Sequence, residues 1–177
     1  MKRFIATSAL FFGLIAFAQD RDIQGKQRQE SLKAYEISFG AMFPASRAYP
    51  QKNAHYSLGL GYVWDIQSAF IEARIDHSDR FSGDPTQRYT SVTIGGNYIF
   101  LEQDVWALFG GINMGLGYVK VQGIDGKGGF HLGTDVGALF LRNADVNLDA
   151  RIRIAYNTAT VHDSHPLFFG LIGGLHF

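Results

Sequence analysis

The chain contains no cysteine among its 177 residues. That absence excludes disulfides, thiolate metal sites, cysteine nucleophiles and lipid anchoring through a cysteine. An excess of one charge is also missing, because 16 Lys and Arg balance 16 Asp and Glu. The composition therefore offers no reason to expect nucleic acid as a partner. Long apolar runs are scarce too. Beyond the N-terminal stretch none is long enough for a transmembrane helix, and mean hydropathy is near zero. What the chain holds in quantity is 21 glycines and 15 phenylalanines, an unusual pairing for a soluble enzyme. Its length favours one domain.

The N-terminus reads as a secretory signal. Lys2 and Arg3 are positive, residues 4–17 are mostly apolar, and Ala16-Phe17-Ala18 has the small-x-small form of a cleavage site. Residues 1–18 are thus expected to be a removed signal peptide. Residues 19–34 carry Asp20, Arg21, Asp22, Lys26, Arg28 and Glu30, and read as a polar periplasmic leader. Residues 35–177 form the folded unit.

Within that unit a period of two recurs in eight segments, which is strand geometry. Tyr35, Ile37, Phe39, Ala41 and Phe43 alternate with Glu36, Ser38 and Gly40. Val146, Leu148, Ala150, Ile152, Ile154 and Tyr156 alternate with Asn147, Asp149, Arg151 and Arg153. The six segments starting near Tyr56, Ile71, Val92, Trp106, Phe130 and Leu167 follow the same rule: one bulky apolar face, one small or polar face. Connections alternate in length. Residues 65–68, 101–104 and 142–145 are short turns, whereas 44–53, 78–87, 122–129 and 157–165 read as longer loops rich in Gly, Pro, Asp and Ser. The expected fold is all-β: an eight-stranded, antiparallel, up-and-down transmembrane β-barrel.

Alternation does not say which face is inside, since a soluble lipocalin-type barrel has the same period with apolar residues inward. Volume argues against that. Eight strands enclose room for side chains or one small ligand, and the bulky faces would overfill it. Glycine placement agrees: Gly59, Gly61, Gly95, Gly111, Gly115, Gly117, Gly133, Gly137, Gly170 and Gly174 share the polar face, where a narrow lumen rewards small size. Aromatics on the bulky face cluster at both rims. Tyr62, Trp64, Tyr98 and Trp106 lie near the short turns, and Tyr118 and Tyr156 near the long loops, as two interfacial belts would.

The segment Leu167–Phe177 ends on an aromatic in phase with Leu175, Gly173, Leu171 and Phe169. It resembles the closing strand of bacterial outer-membrane β-barrels, and Phe177 then matches the signal read by the assembly machinery. The whole of residues 35–177 resembles the small eight-stranded barrels of the OmpA transmembrane domain and OmpX-like group. That resemblance implies a monomer in the cell outer membrane, both termini in the periplasm, with outer-membrane lipid and lipopolysaccharide as surroundings. It implies no cofactor.

Strands three and seven face each other across an eight-strand ring. Their inward residues, Glu72, Arg74 and Asp76 against Asp149, Arg151 and Arg153, carry formal sums of −1 and +1, and Glu36 and Asp135 stand nearby. Confined charges are costly unless paired, so a cross-lumen salt-bridge network that plugs the barrel is expected. The leading function is a non-enzymatic structural or surface-interaction protein. A narrow channel for ions or small solutes is the alternative, and a lipid A-modifying enzyme the second.

The deacylases acting on lipid A use His and Ser two apart with a later Glu. His55-Tyr56-Ser57 with Glu72 has that spacing but falls on the lumen face, and His162-Asp163-Ser164 has no acid after it, so no catalytic residues are assigned. His162, Asp163 and His165 have metal-like spacing within one loop, yet a hydrated loop explains them better and no metal site is assigned. Asp125-Gly126-Lys127 lacks the acidic set of a calcium loop. Arg47, Lys52, Arg80 and Arg88 are candidates to contact lipopolysaccharide phosphates, with ordinary surface polarity as the equal alternative.

Overall fold

The computed structural model describes residues 32, 34–50, 52–66, 68–81, 86–141 and 144–177. The signal peptide and most of the leader expected over residues 1–34 lie outside them. The strands are β1 (Tyr35–Pro44), β2 (His55–Ile66), β3 (Ala69–Arg80), β4 (Gln87–Glu102), β5 (Trp106–Val121), β6 (Ile124–Phe140), β7 (Asn147–Asn157) and β8 (Leu167–His176). Each pairs antiparallel with the next, and β1 pairs with β8 to close the barrel. Among the described residues no helix is long and apolar enough to cross a membrane. The closing register runs from Glu36↔His176 to Pro44↔Phe168. Beyond it Tyr35 and Phe177 exchange backbone hydrogen bonds of 3.1 and 3.0 Å.

The bulky faces point outward. Leu60 is 63%, Leu116 70% and Leu171 60% exposed, and every strand carries such residues. A surface of this kind is costly in water and at rest in hydrocarbon. Tyr62 stacks edge-on against Trp64 at 4.7 Å and against Tyr35 at 5.2 Å, grouping aromatics at the short-turn rim. Tyr118 stands on the outer surface near the opposite rim.

Two expectations need correction. Residues 122–129 are not a long loop. β5 continues to Val121 and β6 begins at Ile124, so Gln122-Gly123 is the whole turn, with Gly123 at φ 77°. Gly126, Gly128 and Gly129 are strand residues: a Cβ on Gly126 would enter the Tyr118 ring and one on Gly129 would meet Asn157 and Ala159, while Gly128 faces open space.

The inner face, moreover, is not only small and polar. Val63, Phe70, Ile99, Ala107, Phe109 and Leu139 form an apolar layer at the short-turn end. Met42, Tyr89, Val119, Phe168 and Ile172, joined by Ala48 and Tyr49 from the first loop, form another toward the long-loop end. A barrel this narrow closes at its mouths by packing, so apolar residues go inward there.

Candidate functional site

Between the two apolar layers lies an ionic one. Glu36 of β1, Glu72, Arg74 and Asp76 of β3, Asp135 of β6, and Asp149, Arg151 and Arg153 of β7 are all buried. The pleat places them: within a strand they are two residues apart and share the inner face. Glycines stand beside them on adjacent strands. Gly61 is opposite Arg74, Gly137 opposite Arg151, and Gly170 opposite Arg153. A Cβ at Gly61 would press on the Arg74 side chain and one at Gly137 on Arg151 Cβ and the Phe109 ring, whereas at Gly170 the neighbour is Met42.

Arg151 is fully buried and holds three acids: Asp149 at 2.6 Å, Glu72 at 3.0 Å and Glu36 at 3.1 Å. Its guanidinium carbon also sits 5.5 Å from the Phe109 ring centre, at the floor of the layer. Arg74 donates to Glu72 at 2.6 Å, Glu36 at 2.8 Å, Asp76 at 2.8 Å and the Ser38 hydroxyl at 2.7 Å. Arg153 meets Asp135 in a two-bond fork of 2.7 and 2.8 Å, and reaches Asp76 at 3.0 Å. Contacts from Arg151 to Glu72 and from Arg153 to Asp76 span the lumen between β7 and β3.

A neutral chain continues from this layer toward the long-loop end. Asn113 donates to Asp135 at 3.2 Å, and His131 Nε2 pairs with Asn113 Oδ1 at 2.8 Å. The other imidazole nitrogen of His131 meets the Tyr89 hydroxyl. Both nitrogens are satisfied if Nε2 donates and Nδ1 accepts. At the opposite end His176 Nε2 lies 2.8 Å from Asp149 Oδ2. Sequence reasoning left these histidines unassigned, although their even spacing from lumen glycines marked their face.

The other candidates do not assemble. His55 and Ser57 are inside the barrel, where His55 contacts Gln87 and Ser78 at 3.4 Å each, and Glu72 is engaged by arginines. His162 and Asp163 are exposed corners of a tight turn bridged by Val161 and Ser164, with φ of 48° and 54°. His165 turns away to the Ala159 carbonyl at 3.3 Å. Of the rim cations, Arg88 is held by Asp79 at 2.7 Å, while Arg47 and Lys52 are exposed.

A closed eight-stranded barrel with an apolar exterior and a side-chain-filled interior defines the class: the chain has the fold of the small outer-membrane β-barrels. No protein-family model matches it, and no curated protein does. Solved structures do. Neisserial surface protein A superposes with a TM-score of 0.61 at 15% identity, over 81% of this chain and 97% of that one. Ail, the attachment invasion locus protein of Yersinia pestis, gives 0.53 at 18% identity, over 84% and 99%. The outer-membrane enzyme PagL gives 0.54 at 15%, over 80% and 99%. At such identities the likeness is one of fold alone. The same barrel serves surface proteins and an enzyme, so fold does not choose between them.

Proposed function

We propose that the chain is a non-enzymatic outer-membrane protein with a structural or surface-interaction role and a sealed lumen. Residues 1–18 are removed, and both termini face the periplasm. Outer-membrane lipid surrounds the outward leucines and isoleucines, and the belts at Tyr62, Trp64, Tyr98, Trp106, Tyr118 and Tyr156 sit at the interfaces. Arg47 and Lys52 face lipopolysaccharide phosphates, and the assembly machinery engages the segment ending in Phe177.

The observation that carries this reading is the layering. A layer of buried ion pairs lies between two packed apolar layers. Ions crossing the barrel would have to break both. Against catalysis stands the burial of His55 and Ser57, which no acyl chain in the outer leaflet reaches.

The test is a planar-bilayer recording paired with lipid A mass analysis of a deletion strain. The expected result is no stable conductance and an unchanged lipid A mass. Steady ohmic current altered by Arg151→Ala would establish a channel instead, and a shifted lipid A mass would establish an enzyme.

A further inference from the structure

The ionic layer does not balance. Among the described residues its buried members are five carboxylates, on Glu36, Glu72, Asp76, Asp135 and Asp149, against three guanidiniums, on Arg74, Arg151 and Arg153. Two negative charges remain without a counter-charge in an interior that excludes water, where they are expensive. The deficit has a location. Arg153 is committed to Asp135 and Asp76, so Glu36, Glu72 and Asp149 share Arg151 and part of Arg74.

Two side chains of the same region each have an unpartnered polar atom. Glu36 is 2% exposed, and its Oε2 has no hydrogen-bond partner. His176 is fully buried, and its Nδ1 has none either. One donor atom each from Glu36, Asp149 and His176 fall within 4.8 Å of one another. The three come from β1, β7 and β8, and Glu36 and His176 are direct partners across the closing seam. Gly174 keeps the space open, because a Cβ there would collide with the Asp149 carboxylate and crowd Glu36.

We propose that Glu36, Asp149 and His176 bind one divalent metal ion of the zinc class, clasping the seam at which the barrel closes. The donor set decides the class: an imidazole nitrogen with two carboxylates suits zinc, whereas calcium and magnesium take oxygen alone. The charge agrees, since one divalent cation cancels the two-charge deficit. The ion joins β1 to β8 and β7, the contacts of highest sequence separation in the fold.

The experiment uses the folded barrel in detergent, stripped with chelator, exposed to zinc chloride and desalted. Elemental analysis counts the metal, and the heat-dependent gel shift of folded against unfolded chain gives the melting temperature. One zinc per chain and a raised melting temperature are expected. Glu36→Gln and His176→Ala should each weaken zinc uptake by about tenfold or more. Glu72→Gln removes the same charge from the same layer but no donor, and should keep the zinc. His162→Ala/His165→Ala should keep it also.

The proposal is overturned if the folded wild type takes up no zinc, the outcome expected when protons neutralise the excess. It is overturned equally if Glu72→Gln loses the metal as Glu36→Gln does, or if the loop histidines are the ones required. Should His176→Ala fail to fold, Glu36→Gln, nearly identical in shape, decides.

Discussion

Ile152 and Arg151 are neighbours in sequence and opposites in environment, which makes Ile152→Arg a sharp test of the orientation. Ile152 is the central residue of β7 and is 58% exposed. Its cross-strand neighbours are Val136 on β6 and Leu171 on β8, themselves 56% and 60% exposed. An arginine there would be placed mid-band, as far from either rim as β7 allows. A charged arginine at the middle of a barrel's lipid face costs about 2–4 kcal/mol, falling to about 0–1 near the interfaces. At about 1.4 kcal/mol per factor of ten, the mid-band change weakens folding by a factor of about thirty to several hundred. The assay is reversible urea unfolding in lipid vesicles, followed through the fluorescence of the two tryptophans. Tyr156→Arg, at the long-loop end of the same outward row, is the matched control and should be nearly neutral. Equal cost at both positions would refute a depth-graded hydrocarbon environment. No cost at Ile152 would refute the facing of β7 itself.

Truncating Arg151 to Ala removes a cation shared by three buried carboxylates and should destabilise the barrel by about 3–5 kcal/mol in the same titration. Glu72→Gln should cost clearly less, because it relieves a layer already in acidic excess; the reverse order would contradict the charge count. Tyr49, in the first loop, packs against Phe168 at 4.8 Å, and its hydroxyl has no hydrogen-bond partner. Burial, with Tyr89 beside it, holds its pKa well above the ordinary tyrosine value. A proton held more tightly when folded means stability intact below about pH 10 and lost as pH rises further. Tyr49→Phe should leave neutral-pH stability unchanged or raised and flatten that alkaline loss; an unchanged alkaline slope would refute the assignment. Gly115→Val should cost about 1–3 kcal/mol or block folding, since a Cβ there meets the Val92 carbonyl oxygen of β4. Wild-type stability would show that the strands relax apart.

The strands and their facing were legible because alternation is a one-dimensional signal. Each ladder stays in register long enough for Ile37, Phe39 and their counterparts to repeat the outward phase, and the ionic residues followed from the same count. The hairpin at Gln122-Gly123 was not legible. Gly126, Gly128 and Gly129 carry the composition of a loop, and only the positions of the Tyr118 ring beside Gly126 and of Asn157 and Ala159 beside Gly129 show why glycine stands in a strand there. The apolar layers were hidden for a related reason. Phe109 and Phe168 occupy inward phases that glycines and charges dominate, and their inward facing comes from closure of the mouths, a property of the ring and not of any one strand. His176 had the right phase, but its proximity to Asp149 depends on β7–β8 register, and its proximity to Glu36 on the β1–β8 seam.

Buried ion pairs often add little net stability over apolar packing, so the ionic layer needs another reason to persist. Register supplies one. A slip of one residue in β7 would carry Arg151 and Arg153 into lipid and Ile152 and Ile154 into the lumen. The outward row alone would penalise the slip through mismatched aliphatics. The layer adds the loss of Glu36, Glu72, Asp76 and Asp135 as partners, all at once. Because those acids sit on β1 and β3 as well as on neighbouring β6, the penalty couples β7 to strands it does not touch in the ladder. Neighbouring hairpins set local pairing, while the guanidiniums compare distant strands. A closed barrel requires both, since its last pairing joins residues as far as 140 positions apart, as in Glu36↔His176.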